Sequence, residues 1–165
     1  MRWSATMRVF DASSIIYAWD NYPIDQFPKL WDWLGECASN TEVAIPRVAF
    51  DEVGHVAEDC RDWLRDSRVH KVEATNAILQ DALRIKGLLG INNDLYGSGV
   101  DENDLIIIAT ARNMKWELVS DEGRQKDLPK LLKNCRIPAV CGMKGVDLRC
   151  INFLDLLKLS KRIFG

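Results

Sequence analysis

The sequence predicts an α/β fold of three layers, with helices on both faces of a central, mainly parallel sheet. Three observations carry that prediction. Short, unbroken apolar runs of strand length recur along the chain: MRVF at 7–10, EVAI at 42–45, WELVS at 116–120 and IPAVC at 137–141. Strands buried on both faces read in this way, whereas a half-exposed strand alternates. Segments with helical apolar spacing separate them. Finally, 165 residues that are 47% hydrophobic and 28% charged suffice for one sizeable core, so residues 1–165 read as a single domain.

The elements follow in order. MRVF runs into Asp11, and SSIIYAWDN reads as a helix stopped by Pro23. PKLWDWLGECAS has apolar residues at 30, 31, 34, 37 and 38, the spacing of an amphipathic helix with Pro28 near its first turn. EVAI is the second strand, and from 46 to about 90 the pattern is helical with breaks near 58 and 68. INNDLYGSG at 91–99 has the chemistry of a turn-rich loop. The apolar run after Asp104 reads as a buried helix, WELVS as the third strand, the residues up to about 134 as a basic helical stretch, and IPAVC as the fourth strand. A last helix opens at Asn152, where Asp155 three residues later resembles a capping pair.

Composition removes several classes of protein. The longest unbroken apolar stretch, 105–109, is far short of the roughly 20 residues that span a bilayer. The stretch MRWSATMRVFDASS lacks the apolar core of a signal peptide, so a cytoplasmic protein is expected. Five cysteines with no C-x-x-C pair point to reduced thiols, and His55 and His70 do not stand at zinc-finger spacing from any cysteine pair. The net charge of −2 conceals an asymmetry: residues 1–110 carry 10 Lys+Arg against 18 Asp+Glu, net −8, and residues 111–165 carry 12 against 6, net +6. A cation-binding pole beside a polyanion-binding pole would have this pattern, and so would a scatter of solvated faces.

In a parallel sheet the side chains that do chemistry lie beyond the carboxyl ends of the strands. The first strand leads into Asp11 and Ser13, the second into a helix carrying Asp51 and Glu52, and WELVS into Asp121 and Glu122. Asp101, Glu102 and Asp104 open the buried helix. Asp101 with Asp104 three residues on is also the spacing of a helix cap. Oxygen donors gathered without cysteine or histidine suit Mg²⁺ or Mn²⁺ better than zinc.

These residues carry a resemblance to the PIN domain, the nuclease fold of VapC-type toxins of toxin–antitoxin pairs. VFDASSII resembles the family's first motif with Asp11 and Ser13, and IPRVAFDEVGHV its second with Glu52. DLIIIATA at 104–111 resembles the third, D-x-x-I-x-A-x-A. The family's fourth motif is a strand ending in T-x-D; here LVSDEG supplies S-x-E, with Glu122 in register and Asp121 one residue early. The resemblance runs from residue 8 to about 157 and implies a three-layer α/β/α PIN-like fold and a Mg²⁺- or Mn²⁺-dependent ribonuclease. Asp11, Glu52 and Asp104 would be metal ligands, Glu122 or Asp121 would complete the set, Asp101 would serve a second metal, and Ser13 would orient Asp11.

RNA is then the expected substrate, an antitoxin protein and a second copy of the chain the expected partners. Arg112, Arg124, Lys126, Lys130 and Lys133 are the candidate phosphate contacts, unless they form an ordinary solvated helix face. Trp19, Trp31, Trp33 and Trp63 could stack bases, although their helical spacing favours packing. Two other readings remain open at this point: a catalytically inactive PIN-fold scaffold that binds RNA or protein, and a phosphotransfer domain using Lys144 after the IPAVC strand.

Overall fold

The apolar runs become strands of a sheet that is covered on both faces. The computed structural model describes residues 6–165. Its strands are β1 (Arg8–Phe10), β2 (Val43–Pro46), β3 (His70–Val72), β4 (Glu117–Val119) and β5 (Cys150–Ile151), all parallel, in the order β3-β2-β1-β4-β5. The helices are α1 (Ala12–Asn21), α2 (Pro28–Ser39), α3 (Arg47–Val56), α4 (Glu58–Asp66), α5 (Asn76–Leu88), α6 (Glu102–Met114), α7 (Ile137–Cys141) and α8 (Phe153–Ser160). Val9, Phe10, Ala44, Ile45, Leu118 and Val119 are wholly buried in the sheet's core. No helix of the described residues is long and apolar enough to cross a membrane. Residues 1–5, the start of the stretch read as lacking a signal peptide, lie outside the described residues.

Strand order decides where a site can form. The chain lays down β1, β2 and β3 outwards in one direction, then returns through α5 and α6 to place β4 on the other side of β1. The reversal leaves a crevice beyond the carboxyl ends of β1 and β4, the usual place for a ligand in an open parallel sheet. Helix α6 is the return crossover, apolar on nearly every side because it packs against α3, α5, β1, β2 and β4. Its residues Leu105, Ile107, Ile108, Ala109, Thr110 and Ala111 are all buried.

Three expectations are corrected. IPAVC is not a strand but the short helix α7, with Pro138 in its first turn. Proline cannot donate to a strand ladder, yet fits the first turn of a helix, where its missing N–H is no loss. The edge place goes to β5, where Cys150 pairs with Leu118 and Ile151 with Val119. Lys144 therefore follows no strand, and the phosphotransfer reading loses its support. The basic stretch after Glu122 is loop, with a single 3-10 turn at Leu132–Asn134. Within the region read as helical, His70–Val72 is the short edge strand β3, while the breaks near 58 and 68 are real, α3 ending at Val56 and α4 at Asp66.

The loop 91–99 is held by close backbone approach. Val100 N–H donates to Cys135 O at 2.9 Å and Ser98 N–H to Asn134 Oδ1 at 3.0 Å. A Cβ on Gly99 would stand 2.1 Å from the Cys135 carbonyl oxygen, so only glycine fits between the two segments. Gly99→Ala is expected to cost about 2 kcal/mol through overpacking, read as a melting temperature lower by roughly 6 °C. An unchanged melting temperature would show that the two segments part without cost.

The tryptophans serve packing. Trp31 meets Trp19 and Trp63 edge-on, at centroid distances of 5.2 and 4.8 Å, and its Nε1–H donates to Tyr22 O at 2.7 Å. Trp33 packs on Phe164 at 5.4 Å. All five cysteines are free thiols; burial pushes those of Cys37 and Cys60 up to about 12, which leaves them unreactive.

Candidate metal centre

Asp11 is the first residue beyond β1 and is only 2% exposed. Its Oδ2 accepts from Ser13 Oγ at 2.5 Å and from Ser120 Oγ at 2.9 Å. Burial raises its proton affinity, and the two hydroxyls with the Ala12 and Ser13 backbone N–H groups oppose that rise. Ser120, the residue directly after β4, is a partner of Asp11 that sequence reasoning did not single out. Its signal was present, since it opens the S-x-E of LVSDEG and occupies the hydroxyl position of the motif.

Asp101 and Asp104 form a complete capping box at the start of α6. Asp101 Oδ1 accepts from Asp104 N–H at 2.8 Å, and Asp104 Oδ2 accepts from Asp101 N–H at 3.0 Å. The cap and the site are not alternatives, because the cap engages one oxygen of each carboxylate. Asp104 is buried, and desolvation followed by the charge of Glu122 pushes its carboxyl up to about 8. Asp101 and Asp11 add to the rise.

Glu52 projects from α3 and Glu122 from the loop after β4, each half-buried. Burial raises the proton affinity of Glu52, and the charges of Asp11 and Asp101 raise it further, while His55 one turn along opposes them. Burial likewise raises Glu122, with Asp11 and Asp101 adding; the Ile137 N–H, 3.1 Å from Oε2, and the Arg136 guanidinium act against it. The second oxygens of Asp104 and Glu122 have no hydrogen-bond partner among the described residues.

Asp121 has a different task. Its Oδ1 accepts from Ser14 Oγ at 2.6 Å and from Phe153 N–H at 2.9 Å, tying α1 to the start of α8. Its own N–H donates to Ser13 Oγ at 2.9 Å. Of the two acids after β4, Glu122 therefore sits among the carboxylates, and Asp121 holds the frame behind them.

Among the described residues no three acid, histidine or cysteine side chains are already drawn into metal-holding geometry. The charge of Asp11 instead reaches Glu52, Asp104 and Glu122, as does that of Asp101, and Glu122 acts on Asp104. This donor set fits a hard divalent cation, whose charge outweighs the mutual repulsion and whose ligands are oxygens.

The predicted phosphate contacts divide. Arg112 lies eight residues after Asp104, about 12 Å along the helix, so it stands at the far end of α6. There it pairs with Asp81 at 2.7 Å and donates to Val146 O, and it is not part of the acid site. Arg124 is exposed and paired with Asp155 at 3.2 Å. Lys126 and Lys130 stand exposed on the loop beyond Glu122, and Lys133 lies on the 3-10 turn. His55 is exposed in the last turn of α3.

Similarity to solved structures agrees with this geometry at the level of fold. The crystal structure of PAE2754 from Pyrobaculum aerophilum superposes with a TM-score of 0.54 at 14% identity, covering 96% of this chain and 92% of its own. VapBC2 from Rickettsia felis, bound to a DNA fragment from their promoter, gives 0.54 at 16% identity, covering 88% of this chain and 98% of its own. No curated protein matches the chain by sequence. The fold is thus the three-layer α/β/α PIN-like fold of VapC type. The chain belongs to DUF4411, a domain of unknown function, whose family model matches residues 9–164.

Proposed function

We propose that this protein is a Mg²⁺- or Mn²⁺-dependent endoribonuclease that hydrolyses RNA at the acidic crevice, and that it is the toxin of a toxin–antitoxin pair. One observation carries the reading. Asp11, Glu52, Asp104 and Glu122 stand on four separate segments; burial raises the proton affinity of each, and the charges of neighbouring acids raise that of Glu52, Asp104 and Glu122 further. Such crowding is costly to a fold and becomes useful when a cation binds there. The likeness to VapC-type folds supports the toxin assignment, with an antitoxin and a second copy of the chain as expected associates.

Asp11, Glu52, Asp104 and Glu122 would hold the metal directly or through water, with Asp101 beside them for a second ion. Bound there, the cation supplies a water of lowered pKa and neutralises charge on the scissile phosphate. The chain's own part is orientation. Ser13 and Ser120 fix Asp11 through one oxygen, the Asp101 N–H fixes Asp104, and the Ile137 N–H fixes Glu122. Carboxylates held in this way lose little freedom when the ion arrives.

Purified protein incubated with mixed single-stranded and structured RNAs tests the reading. Cleavage is expected with Mn²⁺ or Mg²⁺, none with EDTA, and none by Asp11→Asn. Equal cutting by the wild type and Asp11→Asn would assign the activity to a contaminant and sink the reading. The alternative, an inactive fold that binds RNA or protein, predicts that Mn²⁺ stabilises wild type and Asp11→Asn equally in a melting experiment. The proposed nuclease predicts stabilisation of the wild type alone.

A further inference from the structure

The acidic crevice repels a polyanion, so a cation at its rim must hold the RNA backbone, and the arginines differ in their freedom to do so. Arg112 is paired with Asp81, Arg124 with Asp155 and Arg149 with Glu117. Arg136 is exposed and in no salt bridge among the described residues, although it stands directly before Ile137, whose N–H binds Glu122.

Its backbone is held on both sides. Arg136 N–H donates to Gln125 Oε1 at 2.9 Å, and the same amide donates from Nε2 to Asn134 O at 3.2 Å. Ile137 N–H reaches Glu122 Oε2 at 3.1 Å. The guanidinium lies over Gly123, the residue after Glu122: a Cβ there would come within 2.7 Å of Arg136 Nη1. The guanidinium, a planar, five-donor cation, thus rests close to the backbone that follows Glu122 and acts on the Glu122 charge. A guanidinium in that place matches the two non-bridging oxygens of a phosphodiester.

We infer that Arg136 is the backbone-phosphate contact of the substrate strand, gripping an RNA phosphate beside Glu122. The inference rests on the nuclease reading and deepens it, since it assigns the substrate grip to a residue outside the basic loop 124–133.

The experiment compares Arg136→Gln with Arg149→Gln, the same charge change at the amino ends of β4 and β5, on the RNA that the wild type cleaves. Arg136→Gln is expected to raise KM roughly tenfold with kcat within about twofold, as loss of a charge-assisted contact to bound substrate requires. Arg136→Lys should recover part of that loss, since it restores charge without the two-pronged fork. RNA binding by Asp104→Asn, which needs no turnover, should show a salt dependence shallower by about one when Arg136→Gln is added.

If the wild type cuts RNA while Arg136→Gln and Arg149→Gln have the same KM and salt dependence, the inference is overturned and the nuclease reading stands. If the folded wild type neither binds nor cuts any of the RNAs with Mn²⁺, the nuclease reading fails and this assignment with it.

Discussion

Asp104→Asn is expected to abolish metal-dependent RNA cleavage and, in the same protein, to raise the melting temperature of the metal-free form. The loss of activity follows from removing a carboxylate that is 9% exposed and bordered by Glu122, Asp101 and Asp11. A fall of at least roughly a thousandfold in kcat/KM corresponds to about 4 kcal/mol of transition-state stabilisation. The gain in stability follows from the same environment. Desolvation and the Glu122 charge push the Asp104 carboxyl from 3.8 up to about 8, so the folded state binds this proton more tightly than the unfolded chain does. Stability from that proton is fully present below pH 3.8 and is lost as pH rises through about 8.

Asparagine mimics the protonated acid at every pH and still offers an oxygen to the Asp101 N–H, so the capping box survives. At pH 8 without metal the variant should be more stable by about 2 kcal/mol, or roughly 6 °C in melting temperature. At pH 4 the two proteins should melt within about a degree of each other on this account. A variant that is inactive and less stable at pH 8 would show Asp104 to be a structural cap alone.

Asp121→Ala and Glu122→Gln, one residue apart, should fail in opposite ways. Glu122→Gln should lose cleavage by about a hundredfold or more, which is about 2.7 kcal/mol, while melting at or above the wild-type temperature without metal. Glu122 is half-buried among acids that raise its proton affinity, and a neutral side chain relieves that repulsion. Its Oε2 also accepts the Ile137 N–H at 3.1 Å, a bond the glutamine oxygen can keep.

Asp121→Ala should instead lower stability by about 3 kcal/mol, because it leaves two donors without a charged acceptor. These are the Ser14 hydroxyl at 2.6 Å and the Phe153 N–H at 2.9 Å, and with them goes the tie between α1 and α8. A drop of roughly 9 °C in melting temperature is the corresponding signal. Mn²⁺-induced stabilisation should persist in Asp121→Ala and vanish in Glu122→Gln. The reverse pattern would make Asp121 the fourth ligand and displace Glu122 from the site.

Some of this protein was legible in its sequence because the relevant signals are local. Strands β1, β2 and β4 lie in short, mostly apolar runs, α2 follows helical spacing, α6 is a run apolar on nearly every side, and Asn152 with Asp155 caps α8, with Asp155 N–H 2.8 Å from Asn152 Oδ1. The acids after the strands are equally local, so spacing could nominate Asp11, Asp51, Glu52, Asp101, Glu102, Asp104, Asp121 and Glu122, and the resemblance to the PIN motifs narrowed them. IPAVC was ambiguous for a physical reason, since five apolar residues fit a buried strand or a buried helical turn. Pro138 was the deciding residue, because it has no N–H for a ladder. The edge strands β3 and β5 left weak signals, being three and two residues long and supported by neighbours that lie far away in sequence.

What only the tertiary structure decided is which side chains share a neighbourhood. Asp121 is held by Ser14 and Phe153, 107 and 32 residues away, whereas the charge of Glu122 acts on Asp104. The hydroxyl that steadies Asp11 alongside Ser13 comes from Ser120, 109 residues away. Among the cations, Arg112 stands in the sequence beside the third motif yet points its charge into Asp81, whereas Arg136 comes near the acids through Gln125 and Glu122. Sequence determines residue type and local periodicity, which suffice for elements and for candidate acids. Hydrogen-bond partners and charge neighbours depend on distances closed by the sheet order β3-β2-β1-β4-β5, which residue type and local periodicity do not contain.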